Sequence, residues 1–176
     1  MNPALRILIV LTTFALTAAA PAQPAARTFP LVADGGAAAG EVTIMQAPRG
    51  ILLRVLASGL TPGWHGMHIH SVATCADAGF KASGGHIHDA MVTAPVHGLL
   101  NAAESDSGDL PNVFADSGGK VNADVFASGL TLGPADGRLN ILDTDGSALV
   151  IHAAADDYLS QPIGGAGARV ACAAIK

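Results

Sequence analysis

Basic residues are few in this chain of 176 residues, where nine lysines and arginines stand against fourteen aspartates and glutamates for a formal net charge of −5. A chain this acidic is a poor partner for nucleic acid, whose phosphates attract a basic surface. It also repels small anions on average. An anionic substrate would therefore have to be steered by local positive charges.

Long apolar runs are also lacking. The run from Ile7 to Ala18 follows Arg6 and is well short of the roughly 20 residues that a spanning helix needs. Ala20-Pro21-Ala22 has the small-x-small form of a signal peptidase site. We therefore predict a signal peptide over residues 1–22, a mature domain over 23–176 and export to the periplasm. No cysteine lies near the cleavage site, so the mature protein is expected to be soluble and free of the membrane.

Cysteine is scarce as well, with only Cys75 and Cys172 in the whole sequence. In an exported chain an even pair predicts one disulfide, which here would close nearly a hundred residues. Two buried thiols are the alternative.

Helical periodicity is missing from the mature chain, since no segment combines a long 3.6-residue apolar period with capping residues. Short alternating segments separated by glycine and proline turns predict strands instead. The predicted strands cover 28–33, 40–46, 50–58, the segment after Gly63, 113–115, 121–128, 139–142, 148–152 and 169–175. We therefore predict an all-β fold, a flattened eight-stranded antiparallel Greek-key barrel or sandwich with two long loops.

The sequence does contain seven histidines, which are candidate metal ligands. His68 and His70 are two residues apart, so an extended strand directs both rings to one side, where one metal ion can bind both. His86, His88 and His97 fall in the poorly patterned stretch 71–110. A loop this long is either disordered or ordered by something, and a metal with a disulfide would serve.

Six short motifs follow one another in order along the chain. They are Gly63-x-His65-Gly66-Met67-His68-x-His70, Gly84-Gly85-His86, His97-Gly98, Gly108-Asp109-Leu110-Pro111-Asn112, Val150-Ile151-His152 with Asp156-Asp157, and Gly165-Ala166-Gly167-Ala168-Arg169-x-x-Cys172. In this order and spacing the chain resembles the copper/zinc superoxide dismutase family over almost the whole mature sequence. The short loop before the final strand is similar to that of bacterial periplasmic members.

The resemblance implies copper and zinc as cofactors and superoxide as substrate. Copper would be held by four histidines and zinc by a second set that shares one of them: copper by His68, His70, His86 and His152, and zinc by His86, His97, Asp106 and Asp109. Two positions in the stretch 71–110 depart from the family pattern. Asp106 stands where a third zinc histidine is usual, and His88 stands where asparagine or aspartate is usual. His88 is a surface histidine or a substitute zinc ligand.

The resemblance also implies catalytic roles for His86, as a proton carrier between the metals, and for Arg169, which would attract and orient superoxide. Asp156 would join His68 to His97 from behind the ligands. The plainer interpretations are a solvated loop carboxylate at Asp156 and a solvent-exposed arginine at Arg169. Lys81 is either a steering charge or an ordinary surface lysine.

The leading hypothesis is a superoxide dismutase of the copper/zinc type. The main alternative is a non-catalytic copper-binding or carrier module on the same fold. A zinc hydrolase ranks lower because no general base stands beside a three-ligand zinc site. A homodimer is compatible with the sequence, which does not reveal interface residues.

Overall fold

The structure is a computed structural model that describes residues 26–134 and 136–176. The predicted signal peptide, residues 1–22, lies outside the described residues. Ten strands and one 3₁₀ segment are found in the described part of the chain. They are β1 (Ala26–Ala33), β2 (Ala38–Ala47), β3 (Gly50–Ala57), β4 (Gly63–His70), the 3₁₀ segment (Ala78–Ser83), β5 (Asp109–Ala115), β6 (Val121–Ala127), β7 (Leu130–Thr131), β8 (Leu139–Asn140), β9 (Ser147–His152) and β10 (Arg169–Ile175).

Eight strands form one antiparallel sheet in the order β5-β4-β9-β10-β1-β2-β3-β6. The sheet curls into a nearly closed barrel with β5 and β6 at its edges, while β7 and β8 form a short parallel pair. β4 pairs with β9, which follows it by more than seventy residues, as Greek-key connections require. The predicted all-β, eight-stranded fold is confirmed.

Alternation along the strands builds the barrel core. In β3, Ile51, Leu53 and Val55 are fully buried and point inward, whereas Arg54 between them is exposed and pairs with Asp124 of β6. Each fully buried aliphatic side chain contributes roughly 1.5–3 kcal/mol relative to its exposed state. The core therefore depends on the two-residue period that the sequence shows.

Strands β4, β9 and β10 are buried on both faces, because the two long loops cover the outer side of the barrel there. In β9, Leu149 and Ile151 enter the barrel core, while Ala148 and Val150 lie on the outer face. The latter two pack with Phe80 and Cys172 in a small second apolar cluster. The predicted disulfide between Cys75 and Cys172 is present at the border of this cluster. It ties the first long loop to β10.

Helix is as scarce as the sequence predicts, and no helix in residues 26–134 or 136–176 is long and apolar enough to cross a membrane. β5 differs most from its prediction, since it begins at Asp109, four residues before Val113, and the short strand β7 was not predicted. Pro111 conceals β5 in the sequence. Since β5 is an edge strand, a proline that cannot donate a ladder hydrogen bond is tolerated there.

Candidate metal centre

Two neighbouring strands bring three of the histidines together on the outer face of the barrel. β4 carries His68 and His70, whose neighbours Met67 and Ile69 enter the barrel core. β9 carries His152 on the same outer face as Ala148 and Val150. His86 joins from the first long loop through an isolated bridge to His70. The fold thus gathers side chains from three separate parts of the sequence.

These four histidines form a tight, buried cluster. One ligand atom from each of His68, His70, His86 and His152 lies within 4.8 Å of the others. Each ring also has one buried nitrogen without a hydrogen-bond partner: Nδ1 of His68, and Nε2 of His70, His86 and His152. A buried polar atom left without a partner costs roughly 1–3 kcal/mol. A metal ion that takes all four nitrogens would remove this cost, so the donor set fits copper.

The opposite nitrogen of each ring fixes which tautomer is present. Nδ1 of His70 lies 2.9 Å from the carbonyl oxygen of Gly84, and Nδ1 of His152 lies 3.0 Å from that of Gly167. A carbonyl oxygen only accepts, so each Nδ1 carries the proton and each Nε2 keeps its lone pair. The hydrogen-bond network therefore prepares these nitrogens as ligands.

Burial keeps the same two rings neutral. It lowers the pKa of His70 to about 2, against the opposing effect of the bond to Gly84. It lowers the pKa of His152 to about 4 in the same way. The pKa of His68 is also lowered by burial, although its bond to Asp156 opposes this. Near neutral pH these three rings are uncharged, the form that binds metals.

A second cluster lies on the other side of His86. His86 Nδ1 and His97 Nδ1 lie 2.8 and 2.9 Å from Oδ1 of Asp109. The ligand atoms of His68, His86, His97 and Asp109 are again within 4.8 Å of one another. Burial raises the pKa of Asp109, but the hydrogen bonds from His86 and the Gly98 amide outweigh burial and lower it. Two imidazoles and a carboxylate fit zinc.

Asp106 borders this second cluster without being part of that mutually close group. Its Oδ2 lies 3.6 Å from His86 Nδ1, and its Oδ1 lies 3.4 Å from Nδ1 of His88. Asp106 is 6% exposed, and burial raises its pKa. Residue spacing alone did not predict this proximity of Asp106 and His88.

Asp156 links the two clusters, in the place the resemblance implies. Its Oδ2 accepts from His68 Nε2 at 2.8 Å and its Oδ1 from His97 Nε2 at 3.1 Å. Burial raises the pKa of Asp156, but the bonds from His68, the Tyr158 amide and His97 outweigh it and lower the pKa to about 2. The carboxylate is therefore charged and fixed between one histidine of each cluster.

Asn112 is a residue whose role the sequence reasoning missed. Its Nδ2 donates to the carbonyl oxygen of Asp156 at 2.9 Å, and its Oδ1 accepts from the Asp156 amide at 2.9 Å. Its own amide donates to the hydroxyl of Tyr158. β5 therefore holds the second long loop in place. Only its presence in the Asp109 motif hinted at this.

Arg169 is held in place at the first position of β10. Its guanidinium donates to the carbonyl oxygens of Phe80 at 2.6 Å and Gly84 at 2.7 Å, and to the Ser83 hydroxyl at 3.1 Å. Burial lowers the pKa of Arg169 from its usual value. Arg169 and His86 both line a cavity of about 310 Å³. The arrangement places a fixed positive charge beside the histidines, whereas Lys81 is exposed to solvent.

Similarity to known proteins identifies the family of this chain. The sequence model described as "Copper/zinc superoxide dismutase (SODC)" matches residues 38–175. The chain belongs to the copper/zinc superoxide dismutase family. It is 51% identical over 144 residues to the protein named "Superoxide dismutase [Cu-Zn]" of Caulobacter vibrioides, covering 82% of each chain.

Solved structures agree with this membership. Copper/zinc superoxide dismutase from Brucella abortus is 29% identical, with a TM-score of 0.69 over 86% of this chain and all of that one. A superoxide dismutase-like protein from Bacillus subtilis is 36% identical, with a TM-score of 0.78 over 85% of this chain and 97% of that one. The predicted family, enzyme class and cofactors, copper and zinc, are confirmed by this membership together with the two histidine-containing clusters.

Proposed function

We propose that this chain converts two superoxide anions and two protons into dioxygen and hydrogen peroxide, with a named role for each residue of the two clusters. The observation that supports it most is the convergence of four buried, unpartnered imidazole nitrogens. Copper would be held by His68 Nδ1 and by Nε2 of His70, His86 and His152. Zinc would be held by His86 Nδ1, His97 Nδ1, Asp109 and Asp106.

Bound copper supplies one-electron oxidation and reduction, and bound zinc supplies a fixed positive charge without redox chemistry. The chain supplies the rest. His86 offers Nε2 as the atom that takes up a proton and passes it to the product, while its Nδ1 stays on the zinc side. Asp156 keeps the protons of His68 and His97 on their Nε2 atoms. The two hydrogen bonds to Asp156 keep the rings of His68 and His97 in one orientation through the reaction.

Arg169 has the role of attracting superoxide in an acidic protein. Its guanidinium is hydrogen-bonded to Ser83 and Gly84 of the first long loop, and these bonds keep its charge in one position. Since Gly84 also accepts from His70, one backbone oxygen connects the arginine to the first cluster. A fixed cation raises the local concentration of a small anion and speeds its arrival.

The test is superoxide removal by protein loaded with copper and zinc, measured beside elemental analysis of both metals. We expect activity in the wild type and none in His152→Ala, with circular dichroism showing the fold intact in both. If the wild type binds one copper per chain and removes no superoxide, the non-catalytic copper carrier becomes the better explanation.

We also propose export to the periplasm, with residues 1–22 removed and 23–176 forming the mature domain. The proposal rests on the short apolar run after Arg6, on the small residues at the cleavage site and on the bacterial origin of the similar proteins. Mass spectrometry of the mature protein after cell fractionation tests this. A periplasmic chain beginning near Gln23 is expected, and a cytoplasmic chain that retains Met1 would contradict it. A homodimer stays a prediction that sedimentation analysis can check.

A further inference from the structure

The side chain of Gln161, in the second long loop, forms hydrogen bonds with the backbone on both sides of His97. Its Oε1 accepts from the His97 amide at 2.9 Å, and its Nε2 donates to the His97 carbonyl oxygen at 2.8 Å. Nε2 also donates to the carbonyl oxygen of Leu159 at 3.1 Å. The oxygen and both hydrogens of this amide group are therefore engaged, and His97 is held much as a neighbouring strand would hold it.

The peptide bond between His97 and Gly98 carries this contact to a second residue of the same cluster. The carbonyl oxygen of that peptide accepts from Gln161, and its N–H, which belongs to Gly98, donates to Oδ2 of Asp109 at 2.7 Å. A peptide unit is planar, so its C=O and N–H groups turn together. One side chain therefore orients both the backbone of His97 and the donor that reaches Asp109.

This peptide has little freedom to adopt another orientation. Gly98 has a φ of +117°, which side chains rarely allow, and an added Cβ would overlap the carbonyl oxygen of Tyr158 in the second long loop. The Asn101 side chain also reaches the His97 carbonyl oxygen, but at 3.4 Å it is a weak donor. The bond from Gln161 is the stronger of the two.

The position of the His97 ring depends directly on this backbone. Nδ1 of His97 faces the second cluster, 2.9 Å from Oδ1 of Asp109. It is bonded to Cγ, so it follows the backbone more closely than Nε2, which is farther out on the ring and donates to Asp156 at 3.1 Å. The ring is therefore held at its outer edge by Asp156 and at its backbone by Gln161, which leaves Nδ1 for a metal ion.

Building on the zinc site of the proposed function, we propose that Gln161 is a positioning residue for His97 and Asp109. It acts through the backbone and not as a ligand. It fixes the peptide from which one zinc ligand extends and the N–H that holds the carboxylate of the other. Groups that orient metal ligands in this way typically change affinity 10- to 100-fold when they are removed.

The experiment measures zinc affinity by competition with a chromophoric chelator in copper-loaded protein. Gln161→Met keeps a side chain of similar length and removes its three hydrogen bonds, so zinc binding should weaken by about 10- to 100-fold. The matched control is Gln46→Met on β2, where the same amide group donates to the carbonyl oxygens of Ala47 and Gly50 and accepts from the Leu132 amide. This control should bind zinc as the wild type does.

Two further readouts separate positioning from other effects. In Gln161→Glu an oxygen faces the carbonyl oxygens of His97 and Leu159, so two bonds are lost while a negative charge is added. Positioning predicts weaker zinc binding than in the wild type, whereas charge alone predicts tighter binding. With cobalt(II) as a spectroscopic probe in the zinc half, Gln161→Met should change the visible absorption band and Gln46→Met should not.

Equal zinc affinity in Gln161→Met and Gln46→Met would overturn the proposal, and so would zinc binding in Gln161→Glu at least as tight as in the wild type. An equal loss of copper and zinc affinity in Gln161→Met would also overturn it, because the effect would then be on both clusters at once. A wild type that binds no zinc would contradict the zinc site itself, whereas the proposed reaction is judged separately by superoxide removal in the wild type.

Discussion

Replacing Asp156 with asparagine tests how the carboxylate between the clusters works. Oδ1 of Asp156 accepts from the Tyr158 amide at 2.6 Å and from His97 Nε2, whereas Oδ2 accepts from His68 Nε2 alone. An asparagine will keep its oxygen where two donors point. Its NH₂ group then faces His68, and two donors oppose each other.

Asp156→Asn should weaken copper binding more than zinc binding. His68 must either leave a buried N–H unpaired or move its proton to Nδ1, the nitrogen that faces the other three histidines. An unpaired buried donor costs roughly 1–3 kcal/mol, which corresponds to about 5- to 150-fold in affinity. Gly164 packs against Asp156 so closely that an added Cβ would overlap its Oδ1. The side chain therefore has little room to rotate and relieve the conflict.

Competition titrations with chromophoric chelators measure both affinities in Asp156→Asn. We expect copper affinity to fall by roughly 10- to 100-fold and zinc affinity to fall less. Asp157→Asn is the matched control, since it removes the same charge from the next residue, which is exposed and bonds within its own loop. A variant that loses zinc while its copper affinity equals that of the control would refute this reasoning.

Three further results are expected. Cys75→Ser/Cys172→Ser should lower the free energy of unfolding by at most about 4.7 kcal/mol, judged by urea denaturation, and an unchanged value would contradict this. Metal-free protein should lose stability as pH falls below about 6.5. Buried His70 and His152, with pKa values of about 2 and about 4, stay neutral in the folded state while the same residues take up protons in the unfolded chain. A melting temperature that does not change from pH 7 to pH 4 would argue against this prediction. Arg169→Ala should slow superoxide removal and reduce its salt dependence at unchanged copper content, and an unaltered salt dependence would count against steering.

The strands were predictable because one side of most of them faces the barrel core. The alternation of Ile51, Leu53 and Val55 indicates a half-buried strand without any knowledge of its partners. β5 was predicted too short because Pro111 interrupts the pattern. Only the finished sheet shows that this strand lies at an edge.

The clusters were predictable only in part. Motif order named the histidines, but nothing local in the sequence shows that Asn112 holds the backbone of Asp156 from 44 residues away. The contact between His88 and Asp106 was hidden for the same reason. Both depend on how the long loops lie on the outer face of β4 and β9, which follows from packing and not from residue spacing.

The span of chain between the partners decides when the centre comes into existence. His68 and Asp156 are separated by 88 residues, and β9 must pair with β4 before His152 reaches its neighbours. Contacts between such distant residues form late, because the loop must close before they contribute. A chain still being synthesised lacks His152 until β9 has been made, so its four-histidine cluster is incomplete and loading with copper is an event of the completed protein.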